Sequence, residues 1–240
     1  MFWNLKMTTE TFDMQRLLSA LPLFSALSPL ERERVAQGCQ LKRLVRGDLF
    51  FRVGEACEAF HIVVSGQIKL YVASPSGQEK VIEIIGPGRS FAEALVFLGQ
   101  PHIVNAQALA DTLLVSVSKQ AVLAELAHDP HFSLRMLAGI SRRLHSLIQD
   151  VEGYALHSGM QRLIGYLLRD VEGADAGSGN AISITVSLPA SKATIASRLS
   201  LTPEYFSRVL HELEAQGLIQ IDKREIRILD VHRLASFESH

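Results

Sequence analysis

The chain has 240 residues, 48 % hydrophobic and 20 % charged, with a formal net charge of −1. That composition forms cores, leaves room for two ordinary domains and excludes a disordered chain. No apolar run approaches the ~20 residues that span a bilayer. The opening Met1-Phe2-Trp3-Asn4-Leu5-Lys6 lacks the pattern of a signal peptide, and two cysteines (Cys39, Cys57) cannot build a disulfide framework or a four-thiolate cluster. A cytoplasmic protein without membrane association is expected.

Residues 11–37 read as helical. Ser28-Pro29-Leu30-Glu31 supplies an N-cap, a proline at N1 and a glutamate at N3. From 40 to 118 the texture turns to short β-rich runs: Leu49–Val53, Ala59–Ser65, Gln67–Ala73, Lys80–Ile85, Ile103–Ala110 and Leu113–Ser118. Turn signals such as Gly54-Glu55, Ser65-Gly66, Pro75-Ser76-Gly77 and Gly86-Pro87-Gly88 separate them, which predicts a compact antiparallel barrel or roll. Helical texture returns after Ser118, with Asp129-Pro130 as a second N-cap and N1 proline. Beyond it Leu137, Ile140, Leu144, Leu147, Val151 and Tyr154 recur at 3-4-3-4-3 spacing. Such a stripe is either a dimer seam or one face of a buried helix; its place between two domains, with Arg142, Arg143 and Asp150 on the other side, favours the seam. A helix over Met160 to Leu168, a surface loop over Glu172–Asn180 and a strand over Ile182–Val186 complete this stretch.

The strongest motif begins at Lys192. Ser191 caps a short helix whose apolar face is Ile195, Ala196 and Leu199. Ser200-Leu201-Thr202 turns the chain, Thr202 caps a second helix, and Pro203 takes its first position. Phe206, Val209, Leu210 and Leu213 face inward, which leaves Glu204, Tyr205, Ser207 and Arg208 outside near the N-terminal end. A helix-turn-helix places those positions at base edges in the major groove. Arg208 suits guanine O6 and N7, Glu204 suits cytosine N4, Ser207 suits a base edge or thymine methyl, and Thr202 and Lys192 suit phosphates. Lys192, Arg198 and Arg208 against Glu204 make this face +2 in a chain of net −1. The bland alternative is an ordinary helical hairpin. After Gly217, Leu218–Ile221 and Ile226–Leu229 predict a β-hairpin that completes a winged helix; Lys223 and Arg224 at its tip suit either the DNA backbone or plain solvent.

The order of roll, long helix and winged helix-turn-helix resembles the CRP/FNR family of bacterial regulators over about residues 20–237. The marks are Gly54-Glu55, Ser65-Gly66 before Lys69-Leu70-Tyr71, Phe91-Ala92-Glu93 before Gly99, and Glu204-Tyr205-Phe206-Ser207-Arg208. The last is E-x-x-S-R, which looks like an FNR-type reading head. The resemblance implies an α+β fold with a cyclic-nucleotide-binding-like β-roll over 1–128, a dimerisation helix over 129–156 and the DNA-binding domain over 157–240. It further implies a homodimer on double-stranded DNA, a palindrome close to TTGAT-N4-ATCAA, and activation through RNA polymerase.

An effector pocket is expected around Phe91, Glu93, Ala94, His102 and Ile103. Cyclic-nucleotide-binding relatives carry an Arg-Ser or Arg-Thr pair where this chain has His102-Ile103. A cyclic phosphate would lose its bidentate cation partner, so cAMP is disfavoured. Glu93 is equally readable as a loop anchor. Further likeness in Gly77-Gln78-Glu79-Lys80, Phe91-Ala92-Glu93-Ala94 and Arg224–Asp230 resembles the Dnr-type nitric-oxide-responsive subgroup, which implies haem. A subgroup histidine considered as a haem ligand is Arg198 here, so His61, His102, His145 and His157 are the candidate ligands. A non-haem small molecule or a cyclic nucleotide remains the alternative effector. His128-Asp129-Pro130-His131 is explained by helix capping rather than metal. No G-x-x-x-x-G-K, G-x-S-x-G or H-E-x-x-H pattern occurs, so catalysis is not expected.

Overall fold

A computed structural model describes residues 13–21, 24, 27–128, 130–168 and 183–237. The chain divides into two compact units: residues 1–68 with 85–142, and residues 69–84 with 143–240. Its elements in chain order begin with α1 (Met14–Ala20), α2 (Pro29–Gln37), β1 (Cys39–Leu44), β2 (Leu49–Phe51), β3 (Ala59–Ser65), β4 (Ile68–Ala73), β5 (Glu79–Ile85) and β6 (Ser90–Phe91). Next come α3 (Glu93–Leu98), β7 (Asn105–Ala108), β8 (Thr112–Ser118), α4 (Lys119–His128) and the long α5 (Pro130–Leu156). The remainder is α6 (Gly159–Leu168), β9 (Ile184–Ser187), α7 (Lys192–Arg198), α8 (Pro203–Ala215), β10 (Ile219–Asp222), β11 (Glu225–Ile228) and α9 (Val231–Ala235). The fold is α+β, as expected.

In the first unit α2 starts at the capping box read from the sequence: Ser28 Oγ accepts the Glu31 N–H at 3.4 Å, and Glu31 Oε2 accepts the Ser28 N–H at 2.7 Å. An antiparallel sheet of order β1-β8-β3-β6 carries the core, and β2 pairs with β7. Phe60, Ile62, Val115 and Val117 pack beneath α1, α2 and the start of α5, where Phe24 stacks on Phe132 at 6.1 Å. Strand β1 lies outside the sequence expectation because Lys42 and Arg43 break its alternation. Among the described residues it is an edge strand paired only with β8, where charged side chains are tolerated. The expected strand over Ile103–Ala110 shortens to β7, and just before it the His102 backbone bonds to the turn at 54–55: the Gly54 N–H donates to His102 O at 2.8 Å and the His102 N–H to Glu55 O at 2.9 Å.

The second unit holds the β4–β5 ribbon, the later turns of α5, and a winged helix with an antiparallel sheet of order β10-β11-β9. Ile195 and Ala196 of α7, Phe206, Val209, Leu210 and Leu213 of α8, and Leu163 and Leu167 of α6 are all buried. These are the inward positions that helical spacing marked in α7 and α8. The proposed cap at Asp129, the loop over Glu172–Asn180 and the first residue of the Ile182–Val186 strand lie outside the described residues.

Ala92 stands at the N-cap of α3 with φ of +70° and makes no side-chain cap bond. A Cβ in this left-handed region costs roughly 1–2 kcal/mol, which glycine avoids at the expense of a looser unfolded chain. Ala92→Gly should therefore stabilise the folded protein by about 0.5–1 kcal/mol in urea titration. A lower midpoint would show that the Ala92 methyl packs favourably enough to outweigh the strain.

Candidate functional site

Helix α8 is placed by two caps and a strained turn. Ser191 Oγ accepts the Thr194 N–H at 3.1 Å to start α7, and Thr202 Oγ1 accepts the Tyr205 N–H at 3.2 Å to start α8. Between them Ser200 adopts φ of +56°. Glu204 and Arg208 are exposed, Ser207 and Lys192 are half-buried, and Thr202 is exposed at the start of α8. Tyr205 turns partly inward. A Cβ on Gly159 would come within 2.5 Å of the Tyr205 ring, so the glycine is what admits the ring to the start of α6. The Arg208 guanidinium lies 4.8 Å from the Tyr205 ring centroid. Tyr205 thus offers a ring face beside the exposed Arg208 guanidinium. Lys223, with φ of +54°, and Arg224 form the exposed tip of the wing.

Arg198 overturns part of the charge reading. It is 7 % exposed, its Nη2 bonds Asp150 Oδ2 at 2.5 Å and its Nη1 bonds Tyr154 Oη at 2.7 Å. It therefore contributes nothing to the outer face, which falls from +2 to +1. Its spacing of three from Ile195 had already put it on the inward stripe; its charge concealed that.

The expected effector residues separate. Phe91 and His102 are buried and both pack on Phe51, His102 stacked at 3.5 Å between centroids and Phe91 at 6.1 Å. His61 joins them, 5.1 Å from Phe91 and 4.6 Å from Phe50, with Nδ1 2.9 Å from Ser116 Oγ. Glu93 is half-buried, while Ala94 and Ile103 are exposed. Burial pushes the His61 imidazole down to about 3, with His102 adding to the effect. Burial also lowers His102, against an opposing pull from Glu55. The His102 Nδ1 is buried without a hydrogen-bond partner. The cluster is consequently neutral, aromatic and poor in cations. His61 was named from the sequence as a candidate haem ligand; Phe50 and Phe51 were not, because strands β2 and β3 meet at this point only in three dimensions.

Burial also pushes the Cys39 thiol up to about 12 and raises Cys57, so neither is a ready thiolate. Among the described residues no group of three or more His, Cys, Asp or Glu is arranged to hold a metal ion, and no helix is long and apolar enough to cross a membrane. On α5, Leu137, Leu144, Leu147 and Val151 are exposed, Ile140 is half-buried, and Tyr154 is turned to α7, where its hydroxyl donates to the Arg198 carbonyl. His145 is exposed on the same helix.

A β-roll unit and a winged helix-turn-helix with an exposed polar reading face define a DNA-binding transcription regulator. Residues 41–129 match the cyclic nucleotide-binding domain, and residues 161–237 match the Crp-like helix-turn-helix domain. A CRP-like cAMP-activated global transcriptional regulator of Mycobacterium tuberculosis is 24 % identical over 92 % of this chain and 98 % of its own. FixK2 from Bradyrhizobium japonicum shares the fold with a TM-score of 0.73 at 23 % identity, over 84 % of this chain and 98 % of that one. The sensor domain of the transcriptional regulator DNR from Pseudomonas aeruginosa is 36 % identical with a TM-score of 0.50, over 56 % of this chain and 91 % of that one. The chain belongs to the CRP/FNR family of transcription regulators and resembles DNR within it.

Two outcomes follow from this geometry. An unfolded chain takes up a proton on His61 near the ordinary value of 6.5, whereas the folded one resists until about 3. The unfolded state binds more protons in that window, so stability falls as the pH drops from about 6.5 towards 3, by up to about 1.4 kcal/mol per pH unit for one proton. His61→Asn should flatten that slope in urea midpoints measured across the window; an unchanged slope would assign the acid lability elsewhere. Tyr205→Leu should weaken duplex binding by about 0.5–1 kcal/mol through the lost ring face beside Arg208. A fluorescence titration would detect it, and equal affinity would mean that Arg208 orients itself.

Proposed function

We infer that the chain is a homodimeric regulator that reads a palindrome close to TTGAT-N4-ATCAA under the control of an effector in the β-roll, with haem carrying nitric oxide as the favoured effector. The observation that carries the reading is the outer face of α8. Glu204, Ser207 and Arg208 lie along it in E-x-x-S-R order, with Arg208 laid over Tyr205. In this reading Arg208 meets guanine O6 and N7, Glu204 meets cytosine N4, and Thr202 and Lys192 meet phosphates. The exposed stripe of Leu137, Leu144, Leu147 and Val151, with half-buried Ile140, supports pairing of α5 with a second copy. Each protomer then reads one half-site. Residues 1–128 sense, 129–156 pair and 157–240 read; RNA polymerase is the partner expected of an activator.

The chemistry of the roll supports haem. His102 is a neutral imidazole with an unpartnered buried nitrogen beside Phe51 and Phe91, which suits an iron ligand in an apolar setting. His61 engages Ser116, and His145 is solvent-exposed with Gln149 3.3 Å from its ring. Bound haem would supply an iron that takes up nitric oxide. His102 would hold it, and the aromatic side chains would keep water away. The mycobacterial relative is named as cAMP-activated, but a neutral His102 offers no bidentate cation to a cyclic phosphate.

Binding of a labelled duplex at fixed salt tests the DNA reading. Arg208→Ala should lose about 1–3 kcal/mol on the palindrome and far less on a scrambled duplex; equal binding by wild type and variant would overturn it. In a parallel haemin titration, a saturable Soret band that shifts with nitric oxide should appear in wild type and disappear in His102→Ala. An undiminished band in the variant removes His102, and no band in wild type removes haem.

A further inference from the structure

A cavity of about 380 Å³ opens inside the second unit, where the end of α5 meets α6 and α7. That volume lies within the range of small-molecule sites. Asp150, Gly153 and Tyr154 of α5, Arg162 and Gly165 of α6, and Arg198 of α7 line it. The two glycines have no backbone reason to be there. Both lie inside helices and neither has a positive φ, and glycine weakens a helix interior relative to alanine. Packing does not require them either. A Cβ on Gly165 would meet nothing within 4 Å, and one on Gly153 would meet His157 Nδ1 at 3.8 Å, an ordinary contact. What their missing side chains do is leave the cavity open.

The surroundings are positive. Three cations gather about the Tyr154 side chain: Lys80 Nζ lies 4.6 Å and Arg162 Cζ 5.9 Å from its ring centroid, and Arg198 Nη1 bonds its hydroxyl at 2.7 Å. Asp150 meets Arg198, and Glu83, a carboxylate that also acts on Arg198, pairs with Arg143 at 2.6 Å. Lys80 and Arg162 are left in excess. The Lys80 amine donates to the carbonyls of Ser197 at 2.8 Å and Arg198 at 3.1 Å, at the end of α7, where a cation is favoured. Arg162 differs: its Nε is buried with no hydrogen-bond partner among the described residues. A buried N–H left unmatched is costly, and a guanidinium is shaped to take two oxygens of one anion. Gln161, which also lines the cavity, uses its Oε1 on the Ser158 N–H at 2.8 Å, so its Nε2 remains a donor.

We propose that this cavity is a second ligand site, for a small molecule that carries an oxyanion, carboxylate or phosphate, with Arg162 as its bidentate partner and Gln161 as a second donor. The room left by Gly153 and Gly165 takes the body of the ligand, against Leu168 and Leu199. The site shares no residue with the histidine cluster of the roll or with the outer face of α8. It therefore stands apart from whether haem binds and from whether α8 reads DNA.

The test is isothermal titration of the full-length protein with inorganic phosphate and, separately, with succinate, in a buffer that contains neither. Wild type should bind at least one of them saturably, one per chain, with half-saturation at or below about 1 mM. Phosphate alone assigns a phosphate head, succinate alone a carboxylate head, and both together the oxyanion as the recognised group. Arg162→Gln should weaken binding about tenfold or more, the worth of a charge-assisted hydrogen bond. Gly165→Leu should abolish binding by filling the cavity, yet melt no lower than wild type, because the space there is open and leucine favours a helix. Arg46→Gln, which removes an exposed arginine of the first unit, should bind as wild type does. Should Gly165→Leu fail to fold, Arg162→Gln decides the matter. The proposal is overturned if wild type binds neither ion, or if Arg162→Gln or a folded Gly165→Leu binds as tightly as wild type. Equal weakening by Arg46→Gln and Arg162→Gln also overturns it, because that marks general attraction to a charged surface.

Discussion

Arg198 carries a positive charge into the interior of the winged-helix unit, and much of that unit follows from how the charge is met. A guanidinium buried without a partner would cost several kcal/mol. Asp150 and the Tyr154 hydroxyl, both on α5, meet it, and Tyr154 also donates to the Arg198 carbonyl. The last turns of α5 are thereby fastened to α7. Through the Ser200 turn, α7 sets where α8 begins, and Gly159 at the start of α6 leaves room for Tyr205 beneath Arg208. The exposed Arg208 guanidinium thus stands on a framework that a second, largely buried guanidinium helps to fasten.

The roll solves the opposite problem. His61 and His102 are buried among aromatic rings, and burial favours the neutral form of both, at His102 against the pull of Glu55. The backbone bonds that join His102 to Gly54 and Glu55 hold its ring in that cluster. What results is a site of imidazole nitrogen and aromatic faces rather than of positive charge.

Most of what was legible in the sequence was local. The capping box at Ser28, the limits of β3 and the buried faces of α7 and α8 depend on spacing within a few residues, and each stands where the pattern placed it. What escaped was set against the local pattern. Lys42 and Arg43 disguise β1, whose position at a sheet edge permits them. Arg198 was counted on the DNA face, although its place one turn from Ile195 pointed inward. Tyr154 fits the apolar spacing of α5, yet it bonds α7 because its hydroxyl has a partner there.

By itself the sequence determined the class of fold, the helix-turn-helix and the places of Glu204, Ser207 and Arg208 on its outer face. Helical period, turn chemistry and capping are properties of short stretches, and they need no knowledge of what lies across the chain. Only the tertiary structure decided which charges are spent inside and which histidines share a cluster. Those depend on partners far apart in sequence, such as Lys80 and Ser197 at a separation of 117. No local pattern encodes such a pairing, because it arises only when desolvated polar groups must find whatever partner the packed fold brings within reach.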